Sequence, residues 1–550
     1  ISAWLIFGQA QLHVLSGRVE LGQGNMTAIL QIAADELDLR VDQVTITGGD
    51  TRATPNEGFT SGSLSIAQSG MAIRWAASAA RNALFAIAAQ KLSVSLDRLS
   101  AVAGQFHVDG NAVTLTYWDV SAEVDWTQDV SLLASPKLAV ARQVTGLSVP
   151  RIDLIERIMG TPFVHDLQLP GLVHGRVVQP PCLGATLQHL DEASLGNRPG
   201  VLGVWRSGEV VGLIADTAHH ANAACEWAHL KAQWSLPANA PVDPIAEIRN
   251  SQEETSLIHS IGDVDQAAGE VTAHLVSRPY LSHGSIGPSA AVAILADQRL
   301  NVWSHAQGPF PLRDALAVVL DMPAQSIDVI HHPGAGCYGH NGADDVALDA
   351  ALLAKAFPGR PVKVVWSRAD EFRCSPLAPG MVTRVSARVD QTHTIQAMDV
   401  LVNSAPHGNR PGRNGSPNLR SAAFLETPFL PSRSNDIPLA GGGGADRNAI
   451  PLYAIPNVLV HKRIVHNLPY RTSSMRGLGA HLNVYAIETL MDKLAAEASE
   501  DAFDFRLRHL TDARAKGVLQ ELRTMSEHLR SVAAEDGEGW GIGFAKYKNT

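Results

Sequence analysis

Apolar and polar residues follow two different periods along this chain, and together they predict a mixture of helices and strands. A period of three to four residues, which marks one face of a helix, recurs in several segments: 26–39, 66–92, 217–230, 346–357 and 481–498. Short runs rich in β-branched residues, which are typical of strands, lie between them: 44–47, 172–178, 210–214, 327–330 and 361–366. This interleaving predicts an α+β or mixed α/β fold with several domains.

Changes in composition along the chain predict three folded regions and one connecting segment. Residues 1–145 form an α+β block, 150–236 a smaller α/β domain, and 266–550 a large mixed domain. Segment 237–265 contains proline, serine and acidic residues and is predicted to be a linker. The chain begins at Ile1 inside a predicted strand and ends in a glycine-rich run, so we expect it to be truncated at both ends.

The composition of the 550-residue chain is that of a globular protein, since 45% of its residues are hydrophobic and 18% are charged. A net charge of −10 argues against nucleic acid as a main partner. No uncharged apolar run reaches the roughly 18 residues of a membrane-spanning helix. The cysteines form no C-x-x-C pair, which excludes an iron–sulfur cluster held wholly by this chain: Cys182, Cys225, Cys337 and Cys374.

A glycine-rich turn at Gly334, Gly336 and Gly339 follows the predicted strand 327–330 and precedes the predicted helix 346–357. Backbone N–H groups in such a turn can approach an anion closely, so the sequence predicts a phosphate-bearing ligand. A nicotinamide dinucleotide is one candidate, because a second strand and an acidic residue follow, as in a Rossmann unit.

Three features weaken the dinucleotide interpretation. The acidic residues Asp370 and Glu371 lie about thirty residues past the last glycine, whereas about twenty is typical. Tyr338 is bulky where the backbone has to approach a pyrophosphate. Asp344 and Asp345 suit a helix start but would repel a phosphate placed there.

Three further helix entrances are rich in hydrogen-bond donors. Segment 17–25 contains Gln23, segment 58–65 contains several hydroxyl groups, and segment 474–480 contains Arg476. Together with the glycine-rich turn, they favour one large anionic cofactor that is held from several sides. The alternative is that each is an ordinary glycine turn or helix cap.

Taken together, these motifs resemble the molybdenum hydroxylases of the xanthine dehydrogenase and aldehyde oxidase family. Within that family the chain is most similar to the large subunits of nicotinate dehydrogenase and isoquinoline 1-oxidoreductase. The resemblance covers essentially the whole chain and rests on five segments: GRVELGQGN (17–25), TPNEGFTSGS (54–63), VHDLQLPGLVHGRVV (164–178), GAGCYGHNGADD (334–345) and RTSSMRGLGAHLNVYAIETLMDKLA (471–495).

The resemblance implies a multi-domain large-subunit fold that binds molybdopterin. Residues 1–145 would be a molybdopterin-binding region with the glycine–glutamine–glycine loop, and 150–236 a small hammerhead domain. Residues 266–550 would be a second molybdopterin-binding domain that lacks its C-terminal segment. The family's general base is a glutamate in that segment, so we expect it beyond Thr550, and we expect 1–550 alone to be inactive.

The resemblance also implies roles for individual residues. Tyr338 and His340 are expected to contact the substrate, and no side chain is expected to coordinate the metal. The expected cofactor-binding residues belong to four loops: Gly22, Gln23, Gly24, Thr60, Ser61, Gly62, Ser63, Gly336, Cys337, Tyr338, Gly339, His340, Arg476, Gly477, Leu478, Gly479 and Ala480.

The implied cofactor is molybdenum bound to molybdopterin cytosine dinucleotide. The implied reaction is hydroxylation, with water, of a nicotinate-like or isoquinoline-like N-heteroaromatic compound or of an aldehyde. Electrons would pass to a [2Fe–2S] cluster on a small partner subunit, and a cytochrome c is a further candidate acceptor. The expected location is the cytoplasm or the bacterial inner membrane, with the periplasm left open. A dehydrogenase that binds NAD at the GAGCYG turn and a non-catalytic protein for binding or assembly are the alternatives.

Overall fold

The computed structural model describes residues 1–237, 243–434, 436–466, 468, 470–532 and 535–548. The strands in these ranges are β1 (Leu5–Phe7), β2 (Leu12–Ser16), β3 (Val44–Gly48), β4 (Leu99–Val102), β5 (Gln105–Val108), β6 (Asn111–Thr116), β7 (Val173–Val178), β8 (Thr186–His189), β9 (Val201–Ser207), β10 (Val210–Ala215), β11 (Gln233–Ser235), β12 (Thr255–Ile261), β13 (Glu270–Arg278), β14 (Ala290–Ala296), β15 (Arg299–Ser304), β16 (Ile327–His331), β17 (Val362–Val365), β18 (Met381–Val389), β19 (Ile395–Ser404) and β20 (Asn457–Ile464).

The α-helices alternate with these strands along the chain. They are α1 (Asn25–Glu36), α2 (Met71–Leu92), α3 (Tyr117–Val120), α4 (Val130–Leu133), α5 (Leu154–Ile158), α6 (Glu192–Gly196), α7 (Ala218–Lys231), α8 (Pro244–Asn250), α9 (Pro309–Leu320), α10 (Ala343–Ala356), α11 (Arg368–Cys374), α12 (Ala480–Glu497), α13 (Ala502–Arg508), α14 (Ala513–Met525) and α15 (Glu527–Arg530). Among the helices in the described ranges, none is long and apolar enough to cross a membrane.

The helices predicted from apolar periodicity are present as α1, α2, α7, α10 and α12, with ends shifted by a few residues. The predicted helix 66–92 is the exception in its first turns, because Ser65–Gly70 forms a π-helix before α2 begins. In the N-terminal region α1 and α2 share a hydrophobic core with the sheet β1-β2-β3. Alanines of α2, such as Ala76 and Ala80, are fully buried there, and their small side chains let the two helices approach closely.

A mixed seven-stranded sheet lies under the candidate site, in the order β16-β15-β14-β17-β7-β10-β9. It joins strands from the predicted regions 150–236 and 266–550, because β17 pairs in parallel with β7. Helix α10 packs on this sheet, and its Leu353 lies so close to Gly175 of β7 that a Cβ atom there would be 2.7 Å from Leu353 Cδ1. Strands β7, β9 and β10 of the smaller region therefore belong to a sheet shared with region 266–550, and the predicted domain boundaries themselves stay predictions.

The second large sheet has the order β12-β20-β19-β18-β13, and α12 packs against it. Strand β12 and helix α8 lie inside 237–265, which the sequence predicts to be a linker, so the described part of that segment differs from the prediction. Strand β12 is a partly exposed edge strand with little apolar alternation, and an edge strand of this kind gives a weak sequence signal. Residues 238–242 of the predicted linker lie outside the described residues.

A buried ion pair holds β7 to α11. Arg176 Nη2 lies 2.5 Å from Asp370 Oδ2, and the two side chains are 8% and 3% exposed. Asp370 also accepts hydrogen bonds from the backbone N–H and the hydroxyl of Ser367. The pair therefore connects the two predicted regions through charges that are almost completely removed from water.

We predict that Arg176→Met lowers the free energy of unfolding by about 3–5 kcal/mol, because it leaves the Asp370 carboxylate buried without its cation. The matched control is Arg206→Met, since Arg206 pairs with Glu192 at 2.9 Å but both side chains are more than one third exposed. That control should cost less than about 1 kcal/mol. Urea unfolding measures both, and equal losses would contradict the structural role of the buried pair.

Candidate functional site

The predicted loops 336–340 and 474–480 lie directly against each other. His340 N donates to Ser474 O at 2.8 Å, and Arg476 N donates to Tyr338 O at 2.6 Å. Gly339 forms an isolated antiparallel bridge with Met475, and a Cβ atom on Gly339, whose φ is +129°, would overlap the carbonyl oxygen of Ser474. The two motifs therefore form one backbone unit that requires glycine at this contact.

Gln307 and Arg410 connect this unit to the predicted loop 58–65. Thr60 N donates to Gln307 O at 2.8 Å, and Gln307 Nε2 donates to Thr60 O at 3.0 Å. Arg410 Nη1 in turn donates to Gln307 Oε1 at 2.8 Å. The neighbouring Asn409 O accepts from the hydroxyl of Ser473 at 2.6 Å. Three of the four predicted loops thus belong to one hydrogen-bonded arrangement, which we call the loop ring.

The loop ring closes through the glycine-rich segment 441–444. Gly479 N donates to Gly444 O at 3.1 Å, and Arg447 Nε donates to Gly442 O at 2.7 Å. Arg447 Nη1 also donates to the hydroxyl of Tyr547, and the adjacent Lys548 donates through Nζ to Gly62 O. Loop 60–62 is therefore held both through Gln307 and through Lys548.

The glycine–glutamine–glycine loop lies beside this ring, and the carboxylate of Glu20 within the loop accepts hydrogen bonds from the loop's backbone amides. Glu20 Oε1 accepts from Gly22 N at 2.8 Å and from Gly24 N at 2.9 Å. The side chain of Gln23 is exposed, and its Oε1 accepts from Leu21 N at 2.6 Å. The amides at the start of α1 are thus occupied by Glu20 in this conformation. The predicted roles of Gly22, Gln23 and Gly24 in cofactor binding stay predictions.

The first turn of α10 carries two carboxylates. Asp345 accepts from Arg471 Nη1 at 2.8 Å, and Asp344 lies 2.9 Å from the ring of His340. Asp344 and Asp345 are both buried in the first turn of the helix. A nicotinamide dinucleotide bound as in a Rossmann unit would need its pyrophosphate at this helix start. The dinucleotide interpretation of the glycine-rich turn is therefore not supported by this geometry.

His340, which is predicted to contact the substrate, is only 2% exposed. Its Nδ1 lies 2.8 Å from the hydroxyl of Ser473, and its Nε2 faces Asp344. Tyr338 is more accessible, and the guanidinium of Arg476 lies over its ring at 5.4 Å from the ring centre. The structure therefore favours Tyr338 for direct contact with a ligand and His340 for support of the loop.

Positive charge dominates the groups that belong to the loop ring. Burial lowers the pKa of Arg410 to about 10, so this side chain stays a cation at neutral pH. Burial also lowers the pKa of His283 to about 4 and that of His305 to about 3, so both are neutral. The remaining cations are Arg447, Arg476 and Lys548. This balance suits an anionic ligand.

Several backbone donors of the loop ring are left without an acceptor. Within the described ranges, the N–H groups of Ser61, Gly62 and Ser63 have no hydrogen-bond partner, and neither do those of Cys337 and Tyr338. Unpaired amides beside cations can bind the phosphate and carbonyl oxygens of a cofactor. The residues present therefore fit a large, polar and anionic group.

The sequence reasoning missed Gln307, Arg410 and the segment 283–289. Gln307 stands just before Gly308, the N-cap of α9, so the available signal is again a hydrogen-bond donor at a helix entrance. Arg410 lies in irregular structure and carries no local signal. Segment 283–289 lies against the glycine-rich turn, because Gly287 N donates to Ala335 O at 3.0 Å. Its clustering of glycine, serine and histidine between two strands is the available signal.

Two family models match the chain, and both are described as molybdopterin cofactor-binding domains. One matches residues 6–145, and the other matches 248–412 together with 444–510. The two matches together span most of the chain, which is therefore a molybdopterin cofactor-binding protein. All four predicted loops of this molybdopterin-binding chain lie within the matched ranges.

Similar proteins cover nearly the whole chain. A nicotinate dehydrogenase subunit of Pseudomonas putida is 32% identical over 559 residues, which is 98% of this chain but 45% of that protein. The beta subunit of isoquinoline 1-oxidoreductase from Brevundimonas diminuta is 26% identical over 608 residues, covering 98% of this chain and 74% of that protein. The molybdopterin-binding chain thus spans about half the length of the nicotinate dehydrogenase subunit that it matches.

The fold is shared with solved oxidoreductases. The structure of quinoline 2-oxidoreductase from Pseudomonas putida 86 superposes with a TM-score of 0.56 and 19% identity, over 70% of this chain and 55% of that one. The aldehyde oxidoreductase from Desulfovibrio gigas superposes with a TM-score of 0.54 and 18% identity, over 75% of this chain and 50% of that one. These similarities confirm the predicted mixed α/β, multi-domain fold.

We predict that Thr60→Val loosens the contact between the glycine–glutamine–glycine loop and the loop ring. Thr60 Oγ1 accepts from the buried Val19 N at 2.9 Å, and valine keeps the shape but leaves this N–H unpaired. The expected loss in the free energy of unfolding is about 1–3 kcal/mol, with a lower molybdenum content per chain.

Thermal unfolding and elemental analysis of the purified protein test this prediction. Thr392→Val is the control, because the Thr392 hydroxyl is exposed and bonds only to its own turn. That variant should stay within about 0.5 kcal/mol of the unmodified protein. Equal changes in the two variants would show that the Thr60 hydroxyl has no special role.

Proposed function

We propose that this chain is the cofactor-binding part of a molybdenum hydroxylase that oxidises an N-heteroaromatic compound. The observation that carries the proposal is the loop ring itself, in which unpaired backbone amides and four cations surround loops that lie in molybdopterin-binding ranges. Support for oxidoreductase activity comes from the relatives, which are named as subunits of a nicotinate dehydrogenase and of an isoquinoline oxidoreductase.

The proposed cofactor is the cytosine dinucleotide form of molybdopterin with one molybdenum. The amides of 61–63 and 337–338 would bind its phosphate and pterin oxygens, and Arg476 and Lys548 would neutralise its charge. Gly477, Leu478, Gly479 and Ala480 would contribute the adjacent backbone. When bound, the cofactor supplies the oxidation chemistry and activates the water that provides the oxygen.

The chain's own residues would bind and orient the reacting groups. Gln307 is held by Thr60 and Arg410, so its side-chain amide is fixed between loop 58–65 and Arg410. Tyr338 presents an aromatic ring that can stack on a heteroaromatic substrate and a hydroxyl that can donate to a carboxylate on that substrate. A nicotinate-like compound combines both features, which is why we prefer it to an aldehyde.

The proposal includes a partner that carries the electrons away. The chain's cysteines in the structure are free and dispersed, so a [2Fe–2S] cluster would belong to a small partner subunit, with a cytochrome c as a further candidate acceptor. The names of both relatives as subunits support this part of the proposal. The proposal also places the protein in the cytoplasm or at the inner membrane. Cell fractionation would distinguish these locations from the periplasm.

Elemental and nucleotide analysis of the protein purified from its native host tests the proposed cofactor. We expect about one molybdenum per chain and the release of CMP after acid treatment, because the dinucleotide contains cytidine. Release of another nucleotide would contradict the cytosine form alone. Absence of molybdenum together with bound NAD would contradict the whole proposal.

We predict that Tyr338→Phe raises KM for a nicotinate-like substrate by about tenfold and changes kcat little, because a hydroxyl that binds the substrate in the ground state contributes about 1–1.5 kcal/mol. Steady-state kinetics of the complete enzyme measure the effect, and molybdenum content serves as the control for cofactor loading. Unchanged kinetics would remove the Tyr338 hydroxyl from substrate binding.

A further inference from the structure

Segment 283–289, which we call the arch, is held against the glycine-rich turn by its backbone. Gly287 N donates to Ala335 O at 3.0 Å, and Arg368 Nη2 donates to Ile286 O at 2.8 Å. The Ile286 carbonyl and the Gly287 N–H belong to the same peptide group, so this peptide is bonded at both ends. These contacts fix the backbone of Ile286 beside the turn and do not involve its own N–H group.

Gly336 in the turn leaves a small open space beside Ile286. A Cβ atom on Gly336, whose φ is +109°, would lie 3.1 Å from the Tyr338 hydroxyl and 3.5 Å from Ile286 N. Both polar groups therefore border the space that a side chain at this position would occupy. Gly336 and Tyr338 are partly exposed, so a ligand can reach this space, which we call the Gly336 recess.

The Gly336 recess is bordered by two hydrogen-bond donors. Within the described ranges, neither the Ile286 N–H nor the Tyr338 hydroxyl has a hydrogen-bond partner. An oxygen atom placed in the recess can therefore accept from both groups at once. Two donors that meet at one position bind an ionised oxygen more strongly than a neutral one. The recess thus has the chemistry of a site for a carboxylate.

Three cations lie close to the recess. The guanidinium of Arg476 lies over the ring of Tyr338 at 5.4 Å from the ring centre. Arg368 is bonded to the arch, and Arg410 interacts electrostatically with Cys337 in the glycine-rich turn. In a partly buried site, such charges favour an anion over a neutral group of the same shape.

We propose that the Gly336 recess binds the carboxylate of a heteroaromatic acid, with one carboxylate oxygen between the Tyr338 hydroxyl and the Ile286 N–H. Gly336 and Ile286 then determine specificity, because a side chain at Gly336 would take the place of that oxygen. The side chain of Ile286 is 82% exposed, so it is available to pack against the ring of the bound acid. This inference deepens the proposed function and rests on it.

A comparison of nicotinate with nicotinamide in the complete enzyme tests the recess, because the two compounds share ring and shape but differ in charge. The affinity for nicotinamide is taken from its KM if it is oxidised and from its inhibition constant if it is not. We expect nicotinate to bind at least about tenfold more tightly, as is typical when hydrogen bonds reach an ionised acceptor. Equal affinities would overturn the proposal.

Tyr338→Phe removes one of the two donors and should affect the two compounds unequally. The KM for nicotinate should rise about tenfold. The corresponding constant for nicotinamide should rise about threefold, because a hydrogen bond to a neutral oxygen is roughly half as strong. Equal changes for the two compounds would show that the hydroxyl does not bind the carboxylate, which would overturn the proposal.

Gly336→Ala fills the recess with a methyl group. The KM for nicotinate should rise at least about tenfold at unchanged molybdenum content, because neither donor then reaches the carboxylate. Gly160→Ala is the matched control, since Gly160 has a similar φ of +97° and a Cβ atom there would meet nothing within 4 Å. This control carries the same backbone strain, so an equal rise of KM in both variants would overturn the role of the recess.

Arg368→Met decides the question if Gly336→Ala does not fold. This change frees the Ile286 carbonyl, so the neighbouring N–H is no longer fixed, and the KM for nicotinate should rise about threefold with kcat unchanged. Arg368→Lys should restore most of the affinity, because lysine can donate to the same carbonyl. A fall in kcat without a change in KM, or a lack of rescue by lysine, would overturn the proposed positioning of the amide.

The same measurements separate this inference from the proposed function. An enzyme that oxidises N-heteroaromatic compounds but binds nicotinate and nicotinamide equally would contradict the recess alone. An enzyme that oxidises only aldehydes would contradict the proposed function, and 3-formylbenzoate and benzaldehyde would then replace the two pyridines. A preference for the charged aldehyde that is lost in Gly336→Ala would support the recess, and the absence of a preference would overturn it.

Discussion

The hydrogen bond from the buried Arg410 to Gln307 is the contact on which the arrangement of the candidate site depends. Loops have no hydrophobic core of their own, so their relative positions have to be fixed by specific polar contacts or by close backbone packing. Gln307 donates to Thr60 and so positions loop 58–65. Asn409, which is next to Arg410 in the chain, accepts from Ser473 and so positions the loop that carries Arg476. Without this connection, loop 58–65 would be joined to the glycine-rich turn only through peripheral contacts.

The two large sheets provide the rigid part of the site. Helix α10 starts from the glycine-rich turn and packs on the seven-stranded sheet, and α12 starts from the Arg476 loop and packs on the five-stranded sheet. Because each loop ends in a helix that is anchored in a different core, the backbone bridge between Gly339 and Met475 also joins the two cores. The site thus lies where two independently packed bodies meet, which is a common position for ligand sites.

The sequence predicted what depends on local pattern and missed what depends on distant partners. Helices α10 and α12 follow from apolar periodicity, and their glycine-rich entrances follow from the short motifs that precede them. The pairing of β17 with β7 joins residues almost two hundred positions apart, and no local pattern encodes it. Arg410 is a single cation in irregular structure, and the way Glu20 fills the amides of its own loop depends on side-chain geometry. These features arise only in the folded arrangement.

The chain's own carboxylates at two of the helix entrances have a consequence for selectivity. Glu20 at α1 and the acidic first turn of α10 exclude small free anions such as sulfate from two of the four entrances. A ligand must instead reach several separate loops at once, so that each additional anchoring group binds at a high effective concentration. Such a site discriminates between ligands by their size, because only a large ligand contacts all the loops. A smaller ligand that lacks one anchoring group loses far more affinity than that group would contribute if it bound alone.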